Sequence, residues 1–70
     1  MGIEYYRLFD LLTRRGIKKG DLAELADISR VTVTKLGKNG VVQTDILERI
    51  CEVLDCQPAD IMEYVKDEKD

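Results

Sequence analysis

The sequence contains no histidine and only two cysteines, Cys51 and Cys56. Without histidine the commonest general base is missing, and so is any Ser–His or Cys–His pair for nucleophilic catalysis. The two cysteines do not form a Cys-x-x-Cys pair, and two are too few for a secreted disulfide framework. We therefore expect no metal site, no cofactor and no enzymatic activity.

Long apolar runs are also absent, and no stretch approaches the roughly 18 residues of a membrane-spanning helix. The first residues lack the basic and apolar regions of a signal peptide. The chain has 70 residues and is 44% hydrophobic, which is enough for one small core. We expect a cytoplasmic protein with a single domain over residues 1–66 and a frayed charged tail over residues 67–70.

Charge is distributed unevenly along the chain, whose formal net charge is -3. Residues 14–38 contain seven lysines and arginines and three acids, whereas residues 39–70 contain nine acids and three lysines and arginines. A polyanion is bound by a local basic face rather than by the total charge. The central segment therefore favours a polyanionic partner that the overall charge alone would not suggest.

Apolar residues recur at steps of three and four, which predicts five short helices and an all-α fold. The helices are expected over about residues 4–15, 19–26, 30–36 and 45–54, with the fifth beginning at Pro58. Gly16 is well placed to end the first helix and Ser29 to cap the third. Residues 31–34 alternate β-branched side chains as a strand would, but a cap and a glycine stop around so short a segment make the strand the weaker prediction.

Residues 19–38 are predicted to form two helices joined by a tight turn at residues 27–29. Small Ala23 suits a close helix crossing, and apolar Ile28 suits a pivot in the turn. If Val33 and Leu36 face the core, helical periodicity turns the opposite face of the second helix outward. That face consists of Arg30, Val31, Thr34 and Lys35, with Thr32 near its edge.

Residues 22–36, LAELADISRVTVTKL, resemble the helix-turn-helix of the Cro and phage-repressor family of bacterial DNA-binding domains, also called the XRE type. Residues 8–17 are similar to the family's first helix and residues 47–62 to its fourth and fifth helices, so the resemblance covers residues 5–64. The run Lys35-Leu36-Gly37 resembles a compact standalone subgroup. The resemblance implies a lambda-repressor-like five-helix bundle that acts on operator DNA as a sequence-specific transcriptional regulator.

The resemblance also implies which residues contact DNA. The helix beginning at Arg30 would lie in the major groove with its first residues at the base edges. Base contacts are expected from Arg30, Val31, Thr34 and Lys35. Phosphate contacts are expected from Lys18, Lys19, Ser29, Thr32, Lys38 and Asn39. One departure is Asp27, because the family usually has glycine in this turn and aspartate must then adopt a left-handed conformation.

Several questions stay open at the level of sequence. One DNA-binding module of this size would need a second copy on a pseudo-palindromic operator, but whether the two pair only on DNA is not determined. Tyr5, Phe9 and Leu12 either complete the core or form a patch between subunits. The alternative function is a protein-interaction module, such as an antitoxin-like or anti-repressor partner, that uses the acidic C-terminal half. The operator, the regulated genes and the sign of regulation are not determined.

Overall fold

The computed structural model describes residues 2–66, which contain four α-helices, one short 3-10 helix and two short strands. In chain order these elements are β1 (Gly2–Glu4), α1 (Tyr6–Arg15), α2 (Lys19–Ala26), α3 (Arg30–Gly37), α4 (Thr44–Leu54), the 3-10 helix (Pro58–Asp60) and β2 (Glu63–Val65). No helix in this part of the chain is long and apolar enough to cross a membrane.

The predicted five-helix, all-α bundle is wrong at both ends of the chain. Pro58 does begin a helical turn, but the turn is a three-residue 3-10 helix, and Ile61 is completely buried directly after it. Residues 63–65 are then extended and pair antiparallel with β1, with Ile3 opposite Tyr64. The apolar spacing between Ile61 and Val65 is also compatible with a helix, so periodicity alone could not reveal this pairing.

Short-range signals located the other helices to within two residues. The first helix begins at Tyr6 rather than Glu4, because Glu4 belongs to β1. Gly16 ends it in the left-handed conformation, with φ 69°, and the N–H of Ile17 donates to the carbonyl of Leu12 at 2.9 Å. This 6→1 bond is typical of a glycine-terminated helix. Residues 31–34, for which a strand was the weaker prediction, lie within α3.

Every α-helix contributes at least one side chain to a single core. The completely buried members, each less than 2% exposed, are Leu8, Leu22, Leu36, Ile50, Leu54 and Ile61. Tyr5 and Leu12 are also buried in this core, and Phe9 packs against it. Tyr5 and Leu12 are therefore part of the core, as the first of the two alternatives expected, and Phe9 is half-buried against it.

The turn between α2 and α3 is fixed by backbone geometry and by α4. Asp27 adopts the predicted left-handed conformation, with φ 56° and ψ 49°, and the N–H of Ile28 donates to the carbonyl of Ala23 at 3.0 Å. Arg49 of α4 donates to the carbonyl of Asp27 at 2.9 Å. Because Ala23 and Ala26 are buried at this crossing, α2 and α3 pack at close range and α3 is held in one orientation.

Substitution of Asp27 tests this geometry. A Cβ is unfavourable in the left-handed region, so Asp27→Gly should have a free energy of unfolding about 1 kcal/mol above that of Asp27→Ala. Both variants remove the same carboxylate, so their difference isolates the backbone. Urea denaturation measures it, and equal stabilities, or a more stable alanine variant, would contradict a left-handed turn.

Candidate nucleic-acid interface

Helix α3 presents one exposed face because its other face lies in the core. Val33 and Leu36 are buried, and the four predicted base-contacting residues on the opposite side are all exposed. Val31 is 66% exposed, so its methyl groups are open to solvent on this face. Thr32 is half-buried at the edge of this face, as its position in the helix predicted.

Hydroxyl groups form hydrogen bonds at the start of α3 and at Thr34 on its exposed face. The Ser29 side chain accepts from the backbone N–H of Thr32 at 3.1 Å, and the two hydroxyl oxygens lie 2.9 Å apart. This cap satisfies a free N–H group at the helix start and sets where the exposed face begins. The Thr34 hydroxyl donates to the carbonyl of Arg30 at 3.0 Å, so in the free protein its proton is already engaged.

A cationic groove of about 440 Å³ separates the first turn of α2 from α3. The charged residues that line it are Lys19, Arg30 and Lys38, and no acid is among the lining residues. The Arg30 guanidinium lies close to Gly20, with Nη2 3.9 Å from the position that a Cβ on Gly20 would occupy. The N-terminus of a helix carries a partial positive charge, which adds to these cations. The groove therefore has the charge to receive a phosphate group, and it brings Arg30 together with two residues predicted to contact phosphates.

The remaining predicted cations border the same region. The Lys35 and Lys18 side chains are exposed, on α3 and directly before α2 respectively. The start of α2 has an acidic cap that the sequence analysis did not predict, because the Asp21 carboxylate accepts from the backbone N–H of Lys18 at 3.3 Å. An acid at the third position of a helix is the signal that could have identified this cap. The Lys19 ammonium lies 5.0 Å from the centre of the Phe9 ring of α1, and this cation–π contact restrains the lysine side chain.

Most arginines outside this region are held by the body of the protein. Arg7 donates to the carbonyl of Ala59 and pairs with Glu63. Arg14 pairs with Asp10. Arg15 donates to the carbonyl of Leu54 in α4, and Arg49 donates to the carbonyl of Asp27 in the α2–α3 turn. The side chain of Arg30, in contrast, has no hydrogen bond or ion pair with another described residue, although its backbone carbonyl accepts from Thr34. Its guanidinium is therefore available to an external acceptor.

Asn39 has a structural role that the sequence analysis missed. It is exposed and left-handed, with φ 58°, and its Oδ1 accepts from the backbone N–H of Tyr5 at 2.9 Å. The bond joins the start of α1 to the loop after α3. Asn39 was predicted only as a phosphate contact, and its place in a Lys-Asn-Gly turn was the available signal for a left-handed residue.

The two cysteines lie outside the cationic groove and are both free thiols. Burial, reinforced by the neighbouring Cys51, raises the pKa of the Cys56 thiol to about 11. A thiol with so high a pKa is neutral and unreactive at physiological pH. Residues 2–66 also contain no group of three or more histidine, cysteine or acidic side chains that could hold a metal ion.

Comparison with known proteins identifies the family. A family model described as the Cro/C1-type HTH DNA-binding domain matches residues 7–67, so the chain belongs to this family. It is similar to the transcriptional regulator VanUg, whose crystal structure superposes with a TM-score of 0.88 at 41% sequence identity, over 94% of this chain and 88% of that one. It is also 37% identical over 60 residues to the uncharacterized HTH-type transcriptional regulator YozG of Bacillus subtilis (strain 168), covering 83% of this chain and 71% of that protein. These relationships confirm the predicted helix-turn-helix fold and the resemblance to the Cro family.

Substitutions at Asn39 separate its structural role from a role in DNA binding. Asn39→Ala should lower the free energy of unfolding by about 1–2 kcal/mol, because the Tyr5 N–H loses its acceptor and a Cβ-bearing residue without a polar side chain must stay left-handed. Asn39→Asp keeps an acceptor near the start of α1 and should remain close to wild-type stability.

If Asn39 also lies against a phosphate, Asn39→Asp should bind DNA several-fold more weakly despite its stability, because the new carboxylate repels the backbone. Fluorescence anisotropy with a duplex, combined with urea denaturation, measures both quantities. Unchanged DNA affinity of Asn39→Asp would show that Asn39 is not a phosphate contact.

Proposed function

We propose that this protein is a sequence-specific transcriptional regulator that occupies an operator by placing α3 in the major groove. The observation that carries the proposal is the exposed cationic face of α3, held outward by the buried residues Val33 and Leu36 in a Cro/C1-type domain. An α-helix fits the width of the major groove, and the first residues of a recognition helix lie closest to the bases. Both similar proteins are named as transcriptional regulators, which supports the same role.

In this proposal Arg30 and Lys35 donate to O6 and N7 of guanine, and Val31 contacts a thymine methyl group. Thr34 reaches a base or a phosphate once its hydroxyl leaves the carbonyl of Arg30. The residues proposed to contact phosphates are Lys18, Lys19, Ser29, Thr32, Lys38 and Asn39. These contacts set the register of the protein on the duplex and supply most of the salt-dependent affinity.

We further propose that two copies bind the half-sites of a pseudo-palindrome about one helical turn apart. A single module of this size covers limited DNA surface, so a second copy supplies the missing affinity. The proposed site of action is the cytoplasm, and no catalytic step is part of the mechanism. Selection of bound duplexes from a random pool tests the proposal, because it yields the half-site and shows by its symmetry whether two subunits bind. Recovery of no enriched sequence would contradict sequence-specific binding.

Arg30→Ala distinguishes base recognition from phosphate binding at the first position of α3. As a base contact, Arg30 should contribute about 1–3 kcal/mol to binding of the selected site, and its loss should relax preference at one base pair. The proximity of Arg30 to Gly20 and the cationic groove makes this test necessary. Arg14→Ala is the matched control, because that exposed arginine pairs with Asp10 on α1. Equal weakening on all duplexes would make Arg30 a phosphate contact instead.

Lys19→Ala should behave differently from Arg30→Ala. As a phosphate contact, Lys19 should weaken binding to all duplexes uniformly and reduce the slope of log affinity against log salt by about 1. Lys66→Ala removes an exposed lysine outside the proposed interface and should leave the slope unchanged. Affinities measured at several salt concentrations provide the slope, and an unchanged slope for Lys19→Ala would contradict its assignment.

A further inference from the structure

An apolar groove of about 700 Å³ runs beside α4 and shares no residue with the proposed DNA interface. Its apolar floor consists of Leu47, Cys51, Cys56, Pro58 and Met62. Four of these residues are half-buried hydrophobic groups that pack against the core, so the floor is held firmly in place. The pKa of the Cys56 thiol, raised by burial, keeps that part of the floor uncharged at physiological pH.

The charged residues that line this groove are all acidic. Glu48 and Glu52 are both exposed and lie one turn apart on α4, so their side chains project along the same edge of the groove. No lysine or arginine is among the lining residues. Arg49, although it lies between the two glutamates in sequence, donates to the carbonyl of Asp27 in the α2–α3 turn.

We propose that this groove binds a basic amphipathic helix of a partner protein. Apolar side chains on one face of such a helix would lie on the floor, and lysines or arginines beside them would pair with Glu48 and Glu52. The groove is open and lies between α4 and the residues around the 3-10 helix, and its lining residues on α4 span about two helical turns, from Thr44 to Glu52. Charge complementarity fixes the sign of the partner and adds specificity to a mainly apolar contact.

The charges disfavour three other occupants of this groove: DNA, residues 67–70 of the same chain and a second copy of the chain. DNA would be repelled by the two glutamates, and residues 67–70 carry three acids and one lysine. In a second copy the cationic surface is the α2–α3 face, which would then be withdrawn from DNA. The groove shares no lining residue with the α2–α3 face, so binding there uses none of the residues proposed to contact DNA.

A synthetic peptide tests the inference. The probe is a fluorescein-labelled peptide of about four helical turns, with leucines at helical spacing on one face and lysines on both flanks. Two control peptides replace the lysines by glutamates or scramble the order at constant composition. Anisotropy titrations into the full chain should show saturable 1:1 binding of the lysine peptide and weak or no binding of both controls.

Charge reversal locates the binding. Glu52→Lys should weaken peptide binding at least about fivefold, whereas Glu24→Lys, the same change at an exposed position on α2, should alter it by less than about twofold. Both positions are on the surface, so both variants are expected to fold, and circular dichroism checks this. Addition of the peptide should also shift the methyl NMR resonance of Met62, assigned with Met62→Leu.

Three results would overturn the inference: equal effects of Glu52→Lys and Glu24→Lys, binding of the scrambled peptide as tight as that of the amphipathic one, or sedimentation showing that the peptide displaces a second copy of the chain. DNA affinity is measured in parallel. Because Glu52 is not in the proposed DNA interface, Glu52→Lys should retain operator binding, so the failure of either proposal is distinguishable from the failure of the other.

Discussion

The packing of α2 against α3 through a left-handed turn is the constraint on which the rest of the structure depends. Asp27 ends α2 in the left-handed conformation, and the N–H of Ile28 donates to the carbonyl of Ala23. Because Leu22 of α2 and Leu36 of α3 are both completely buried in the core, α3 cannot rotate about its axis without exposing core residues. The rotation of α3 in turn determines which side chains are available to a duplex. A core contact thus controls the chemistry of the surface.

The partners of the arginine side chains determine which of them are available on the surface. Arginines elsewhere are held by carbonyls or acids of the body, whereas Arg30 has no such partner among the described residues. The cationic groove between α2 and α3 and the apolar groove beside α4 have no lining residue in common, and the charged residues of the apolar groove are acidic. A chain with a formal charge of -3 can therefore offer a polyanion-binding face because its acids are concentrated elsewhere.

Sequence reasoning succeeded where short-range rules apply and failed where distant residues meet. Periodicity, the Ser29 cap and the left-handed residue at Asp27 are local, so α2 and α3 could be predicted closely. The pairing of β1 with β2 joins the two ends of the described chain through three residues on each side, which is too short for a recognisable pattern. The bond from Tyr5 to Asn39 spans 34 residues and was equally invisible. The outward face of α3 was correctly predicted, and its base and phosphate contacts stay predictions.

Methylation interference on the selected operator tests most directly whether α3 lies in the major groove. Methylation of guanine N7 adds a group in the major groove, whereas methylation of adenine N3 adds one in the minor groove. Our account predicts that N7 methylation of guanines within each half-site abolishes binding. N3 methylation of adenines within the same half-sites should have little effect. Binding that tolerates N7 methylation throughout the half-site but is blocked by N3 methylation would contradict the account.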